Sequence, residues 1–220
     1  MVVERRFLNP YAPVQFGKNR LPHRQQDGIT YFVTYRLVDS IPSRLLDQWH
    51  AERTMWLKFH PEPWAPDIEE EYHKQLTAKI ESWLDQGHGS CALRDARIRK
   101  PVEDAFRRCD GRRFQMHSWV IMPNHVHVLV SLANGELLDR LIQAWKGASS
   151  REIKKVRQQR ISMPVWMKDY FDRMIRDSEH FWRCARYIRR NPVKAKLAAW
   201  QFTLHESQHV RDILDCRAKE

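Results

Sequence analysis

The stretch IMPNHVHVLV, residues 121–130, constrains the fold more than any other part of the chain. Pro123-Asn124 is a turn signal, and FQMHSWVIM (114–122) and HVHVLVSL (125–132) on either side have strand composition, so the two are expected to pair as an antiparallel hairpin. Successive side chains of a strand point to opposite faces. His125 and His127 therefore share one face, while Val126, Val128 and Val130 share the other. One face of the hairpin is suited to packing, and the other presents two imidazoles roughly 6–7 Å apart along the strand.

The flanking sequence supplies the other layers. ITYFVTYRLVD (29–39) alternates β-branched and aromatic residues as a strand does, and Ser40 or Ser43 can cap a helix through RLLDQWHAERTMWLK. The Pro-rich FHPEPWAPD breaks that helix, and IEEEYHKQLTAKIESWLDQ and IRKPVEDAFRRCDG read as two more. Leu137, Leu138, Leu141, Ile142 and Trp145 mark an amphipathic helix that runs into KGASSREIKKVRQQR, and PVWMKDYFDRMI (164–175) reads as a strand with a connecting loop. A final helix, SEHFWRCARYIRRN, is capped by Asp177-Ser178, seated by Phe181, Cys184 and Ile188, and expected to stop at Asn191-Pro192.

The order β α ββ α β α predicts an α+β chain with a ferredoxin-like (RRM-like) antiparallel sheet. Helices would cover one face and leave the other open, with His125 and His127 looking out from it. The expected organisation is a basic N-terminal arm (1–29), a catalytic domain (30–200) with a helical insertion at about 42–110 before the hairpin, and a C-terminal tail (201–220).

Thirty-eight Lys and Arg face 27 Asp and Glu, a net charge of +11, which favours a polyanionic partner, nucleic acid foremost. The excess is focused: no carboxylate lies between Phe181 and His205, where Arg183, Arg186, Arg189, Arg190, Lys194 and Lys196 all occur. The four cysteines form no C-x-x-C pair, so neither a disulfide framework nor a zinc ribbon is indicated. No apolar run approaches the roughly 18 residues that span a bilayer, and MVVERRFLNPYAP lacks the apolar core of a secretion signal. A soluble, cytoplasmic protein with no membrane partner is expected.

Two imidazoles on one strand face can converge on a divalent ion, although two nitrogens alone make an open site and two surface histidines are the plainer alternative. On the final helix Tyr187 and Asn191 stand one turn apart on one face. The Asn191 carbonyl oxygen can serve as a third ligand, and the mixed nitrogen and oxygen set suits Mg2+ or Mn2+. Tyr187 would then point at whatever the ion holds and, once deprotonated, can attack a phosphodiester.

These segments together, MPNHVHVLV, WKGASSREI, VWMKDYFDRMIRDSEHF and RYIRRNPVKAKL, resemble the REP-associated tyrosine transposases, a branch of the single-tyrosine HUH transposases with an IS200-like domain. LPHRQQDGITYFVTYRLVDSIP and DQGHGSCAL extend the likeness over most of the chain, from about Leu21 to Leu197. The resemblance implies that His125 and His127 are the HUH histidines, that Tyr187 on the C-terminal helix is the nucleophile, and that Tyr170 is structural. Related enzymes often carry glutamine one turn after the tyrosine, where this chain has the shorter Asn191. The implied reaction cleaves single-stranded DNA at repetitive palindromes that fold into REP-like hairpins. It proceeds through a 5′-phosphotyrosine linkage and rejoins strands without ATP, in a monomer or a homodimer.

Arg24, Lys146, Arg151, Lys154, Lys155, Arg183, Arg186 and Arg190 are the expected DNA contacts, together with Lys18, Arg20 and His23 of the arm. Trp49, Trp83 and Trp145 fit helix cores rather than base platforms. A non-catalytic hairpin-binding module and a metal-dependent nuclease with a water nucleophile are the competing functions, and the tail QFTLHESQHVRDILDCRAKE is left without a role.

Overall fold

The computed structural model describes residues 6–18, 22–61, 64–158 and 163–216, apart from the side chains of residues 16–18, 22, 24 and 66. Two compact units appear, residues 1–38 with 92–220 and residues 39–91. Within the larger unit the strands are β1 (Gln15–Lys18), β2 (Pro22–Gln25), β3 (Thr30–Arg36), β4 (Phe114–Ile121), β5 (His125–Leu132), β6 (Phe171–Met174) and β7 (Thr203–Glu206). β3 to β7 make a five-stranded sheet in the order β6-β3-β5-β4-β7, with every neighbouring pair antiparallel. Two strong strand formers, β3 and β5, sit at its centre, as their uninterrupted burial requires.

The Pro123-Asn124 hairpin forms as expected, closed by the Met122 N–H donating to the His125 carbonyl at 2.9 Å. β3 runs against β5 so that Thr34 pairs with His127 and Arg36 with His125. On one face Val126, Val128 and Val130 pack with Tyr31, Val33, Tyr35 and Trp119 beneath α4 (Ala96–Arg107) and α5 (Leu138–Val156).

The opposite face is not open. α6 (Ser178–Lys194) lies on it, burying Phe181, Cys184, Ala185 and Ile188 against Phe32, Val120 and Leu129, with Val210 and Leu214 of α7 (Gln208–Cys216) beside them. The periodicity of α6 explains the seat: residues 181, 184, 185, 188, 191 and 192 form one stripe at helical spacing. Pro192 does not end this helix, which continues to Lys194. Near the C-terminus of a helix a missing N–H removes a single bond, and the last turn is closed instead by the Ala195 N–H on the Asn191 carbonyl at 3.0 Å.

Two expected appendages belong to the body of the larger unit. The arm forms the β1-β2 hairpin, and its His23, buried, sets Nδ1 at 2.5 Å from the Asp172 carboxylate and stacks on Tyr170. The tail adds β7 to the sheet edge and α7 to the second face. Lys18 and Arg24 have side chains outside the described residues, and Arg20 lies outside them altogether.

The helical insertion is shorter than the sequence suggests. The second unit spans 39–91 and holds α1 (Ser43–Phe59), α2 (Pro66–Tyr72), a π-helical turn (His73–Thr77) and α3 (Ala78–Asp85), whereas α4 packs on the sheet because Val102, Ala105 and Phe106 belong to its core. The ends of the insertion meet: the Ser90 N–H donates to the Asp39 carboxylate at 2.8 Å, and Gly89, at φ +79°, lies so close to the Asp39 carbonyl that any side chain there would collide with it. Five basic and ten acidic residues give this insertion a net charge of −5, against 33 basic and 17 acidic residues, net +16, in the rest of the chain. Among the described residues no helix is long and apolar enough to cross a membrane.

Arg189 fastens α6 from its outer side. Its guanidinium donates to both Glu206 oxygens, at 2.8 and 2.7 Å, and to Asp215 at 2.7 Å, joining α6 to β7 and α7. Replacing Arg189 by Ala strands the buried Glu206 carboxylate, and urea denaturation should read a loss of about 2–3 kcal/mol. Wild-type stability in that variant would show that the apolar stripe alone holds the helix.

Candidate functional site

Beneath α6 the two histidines meet head to head. Each is only 1% exposed, and their Nε2 atoms are 3.0 Å apart with the rings nearly perpendicular, at 78°. The far nitrogens are tethered: His125 Nδ1 lies 2.7 Å from Asn124 Oδ1, and His127 Nδ1 lies 2.7 Å from Thr34 Oγ1. An amide oxygen only accepts, so His125 carries its proton on Nδ1 and turns a lone pair inward from Nε2. The Thr34 hydroxyl can donate or accept. It therefore permits His127 either to donate from Nε2 to His125 or to hold its proton on Nδ1 and offer a second inward lone pair.

Burial keeps both rings neutral. It pushes the His125 pKa down to about 3 and lowers that of His127 well below the ordinary value, with further lowering at His127 from His125, Arg173 and Lys194. A neutral imidazole with an anchored far nitrogen is the form that ligates a metal.

α6 brings the remaining groups. Asn191, 1% exposed, places Nδ2 at 3.3 Å from His127 Nε2, and its Oδ1 is buried without a hydrogen-bond partner. A buried, unused amide oxygen beside two facing imidazole nitrogens fits a divalent cation taking two nitrogens and one oxygen, with other positions left to ligand oxygens. Among the described residues no group of three or more His, Cys, Asp or Glu side chains can hold a metal, so such a cation depends on this amide and on what it binds. One turn earlier, Tyr187 is half-buried and its ring meets the His127 ring edge-on at 5.2 Å and that of Phe32 at 5.8 Å. The structure thus assembles His125, His127, Tyr187 and Asn191, all four expected from sequence. Sequence reasoning missed Thr34 and Asn124, whose roles follow from strand register and turn geometry. It also missed Arg173 and read Lys194 only as part of a basic run, whereas both lie close enough to lower the His127 pKa.

The expected DNA contacts divide. Arg183 and Arg190 are exposed and Arg186 half-buried on the side of α6 away from its buried stripe, while Tyr187 borders that stripe; Arg183 makes an exposed ion pair to Glu179 at 3.7 Å. Arg151 is exposed, Lys154 half-exposed, and Lys155 is exposed and paired with Glu152 at 2.8 Å. Lys146 is different: its ammonium donates to the carbonyls of Met167, Lys168 and Asp169 and lies over Tyr35 and Tyr170. Burial lowers its pKa to about 8. It closes a loop rather than meeting a phosphate. Tyr170 is buried against His23, in keeping with a structural role.

Residues 92–191 match a family model described as "Transposase IS200 like". A REP-associated tyrosine transposase of Escherichia coli (strain K12) is 28% identical over 97 residues, which are 42% of this chain; the match spans about half, 54%, of that relative's length. A solved structure of a REP-associated tyrosine transposase bound to a REP hairpin aligns with a TM-score of 0.44 and 15% identity over 83% of this chain and 76% of that one. The stretch that carries His125, His127, Tyr187 and Asn191 is thus the stretch that matches the IS200-like transposases, and the chain is similar over 97 residues to a REP-associated tyrosine transposase.

Proposed function

We propose that this protein cleaves and rejoins single-stranded DNA at hairpin-forming repeats, with Tyr187 as the nucleophile. One observation carries the reading: a tyrosine edge-on to a buried histidine pair whose Nε2 atoms lie 3.0 Å apart, with the Asn191 amide 3.3 Å from that of His127. The family match over 92–191 spans all four residues.

In this reading His125, His127 and Asn191 would hold Mg2+ or Mn2+, which when bound would polarise the scissile phosphate and stabilise a tyrosine phenolate. Thr34 and Asn124 fix the imidazoles with Nε2 inward. The Tyr187 hydroxyl loses its proton to solvent as its oxygen attacks phosphorus, the bond from phosphorus to the 3′-oxygen breaks, and that oxygen leaves as a 3′-hydroxyl after taking up a proton from solvent. The product is a 5′-phosphotyrosine. Attack by another 3′-hydroxyl reverses the step and joins the strands, one phosphodiester being exchanged for another without ATP. The contact of Tyr187 with the His127 of its own chain supports a nucleophile acting in cis, in a monomer or a homodimer. Arg183, Arg186 and Arg190 beside it, and Arg151, Lys154 and Lys155 on α5, supply phosphate contacts.

Labelled hairpin oligonucleotides taken from repeats near the gene, incubated with Mg2+ or Mn2+ and resolved on a denaturing gel, test this directly. Wild type should carry the label and Tyr187→Phe should not. Free cleaved DNA from both would favour a water nucleophile, and binding without cleavage by either would favour a non-catalytic module. His125→Ala and His127→Ala should each lower cleavage by on the order of 100-fold or more while DNA affinity changes little. Thr34→Val keeps the shape of the side chain but removes the tether on His127 Nδ1, so Mn2+ affinity measured by calorimetry should fall by about 10- to 100-fold. Unchanged Mn2+ binding there would remove the ring-orienting role of Thr34.

A further inference from the structure

All nine tryptophans are described, and eight of them are buried or half-buried; Trp200 is 65% exposed. Its indole takes part in no ring contact or hydrogen bond among the described residues. Leaving so large an apolar side chain in water has no packing reason at this position, yet the backbone beneath it is held unusually firmly.

Trp200 sits in a 3-10 turn, Ala199–Gln201. The Gln201 side chain accepts from the Ala198 N–H at 2.8 Å, and the Gln201 N–H donates to the Ala198 carbonyl at 2.9 Å. Arg99 of α4, buried, donates to the Trp200 carbonyl at 2.8 Å, to Thr203 Oγ1 at 3.0 Å, and to the Leu93 and Arg94 carbonyls at 2.9 and 2.7 Å. A guanidinium with this many carbonyl and hydroxyl partners clamps the turn to α4 and to residues 92–94.

The clamp places the indole at the histidine end of the sheet. Thr203 pairs with Ile121, where β4 enters the hairpin turn, and the Leu93 N–H donates to the Pro123 carbonyl of that turn at 3.0 Å. On the other side the Leu197 N–H donates to the Pro192 carbonyl at 2.9 Å, so the turn follows directly from the end of α6 that carries Asn191. Lys194 and Lys196 are exposed beside it, as is Arg94 across the Arg99 clamp. The nearby carboxylates are engaged: Glu103 accepts from Thr203, and Asp95 accepts from Arg97.

We propose that Trp200 is a stacking platform for an unpaired base of single-stranded DNA beside the phosphate that Tyr187 attacks. The reading rests on the proposed function and deepens it. A rigidly mounted, solvent-facing indole among lysines meets what an unpaired nucleotide requires: a flat apolar surface for the base and cations for its phosphates. A pre-fixed backbone spares the ordering cost that a mobile aromatic incurs on binding. Because every base has a π-face, the platform is sequence-tolerant; it sets where the strand lies rather than which bases it contains.

The test uses the full-length protein and a fluorescein-labelled DNA hairpin with unpaired deoxyadenosine flanks, followed by anisotropy. Each flank position is replaced in turn by an abasic nucleotide. Wild type should lose about 5- to 100-fold in affinity at one flank position. Trp200→Ala should lose a similar factor on the intact oligonucleotide and nothing further at that abasic position, while Trp200→Phe keeps most of the affinity. Unchanged affinity of Trp200→Ala, or an additional loss in it at every abasic position, would overturn the proposal. So would loss of self-association in Trp200→Ala with DNA affinity intact, since the indole would then be a protein contact. At saturating DNA Trp200→Ala should still form the Tyr187 adduct. Failure of wild type itself to form one sinks the cleavage reading while leaving the abasic comparison to decide Trp200.

Discussion

The packing of α6 onto the histidine-bearing face of the sheet is the interaction on which the rest of the site depends. Phe181, Cys184, Ala185 and Ile188 seat the helix on Phe32, Val120 and Leu129, and the same stripe continues into Asn191. Seating thus removes water from His125 and His127, which keeps them neutral, and it delivers the amide and the tyrosine by rigid helical spacing. Stability and site geometry are here one structural event. A helix displaced by about 1 Å would move Tyr187 and Asn191 together and compromise both roles at once.

Burial of the pair also changes what the surrounding polar groups must do. In water either imidazole nitrogen is satisfied by solvent; beneath α6 each needs a partner, and Asn124 and Thr34 supply it for the outer nitrogens. The two inner nitrogens are left with each other and with Asn191. The low dielectric that penalises an isolated polar atom would also strengthen the attraction between the inward lone pairs and the cation proposed to complete the cluster, because that attraction is less screened than at a surface.

Much of this was legible in the sequence because it depends on short-range periodicity. The alternation in HVHVLV and the one-turn spacing of Tyr187 and Asn191 fix which side chains share a face, and both assignments agree with the structure. Quantities set by tertiary packing were not legible. Nothing local says that β3 lies against β5 in the register that pairs Thr34 with His127, or that a second layer of helices covers the histidines. Lys146 illustrates the same limit: a basic residue near a basic run reads as a phosphate contact, whereas carbonyls more than twenty positions away claim its ammonium. Pro192 shows the converse, a strong local stop signal overridden in the last turn of a helix already held along its length.

For a chain that acts on DNA as proposed, the division of charge between the two compact units bears on how a strand would arrive rather than on how it would be held. The insertion at −5 repels a polyanion and the remainder at +16 attracts it. Collisions of a DNA strand with the 39–91 unit would be the shorter-lived, and those with the larger unit the longer. This discrimination acts over about 8 Å at physiological ionic strength. It would make capture of such a strand more sensitive to salt than the chemistry proposed to follow. An insertion that adds nothing to the four-residue cluster can in this way still shape the kinetics of reaching it.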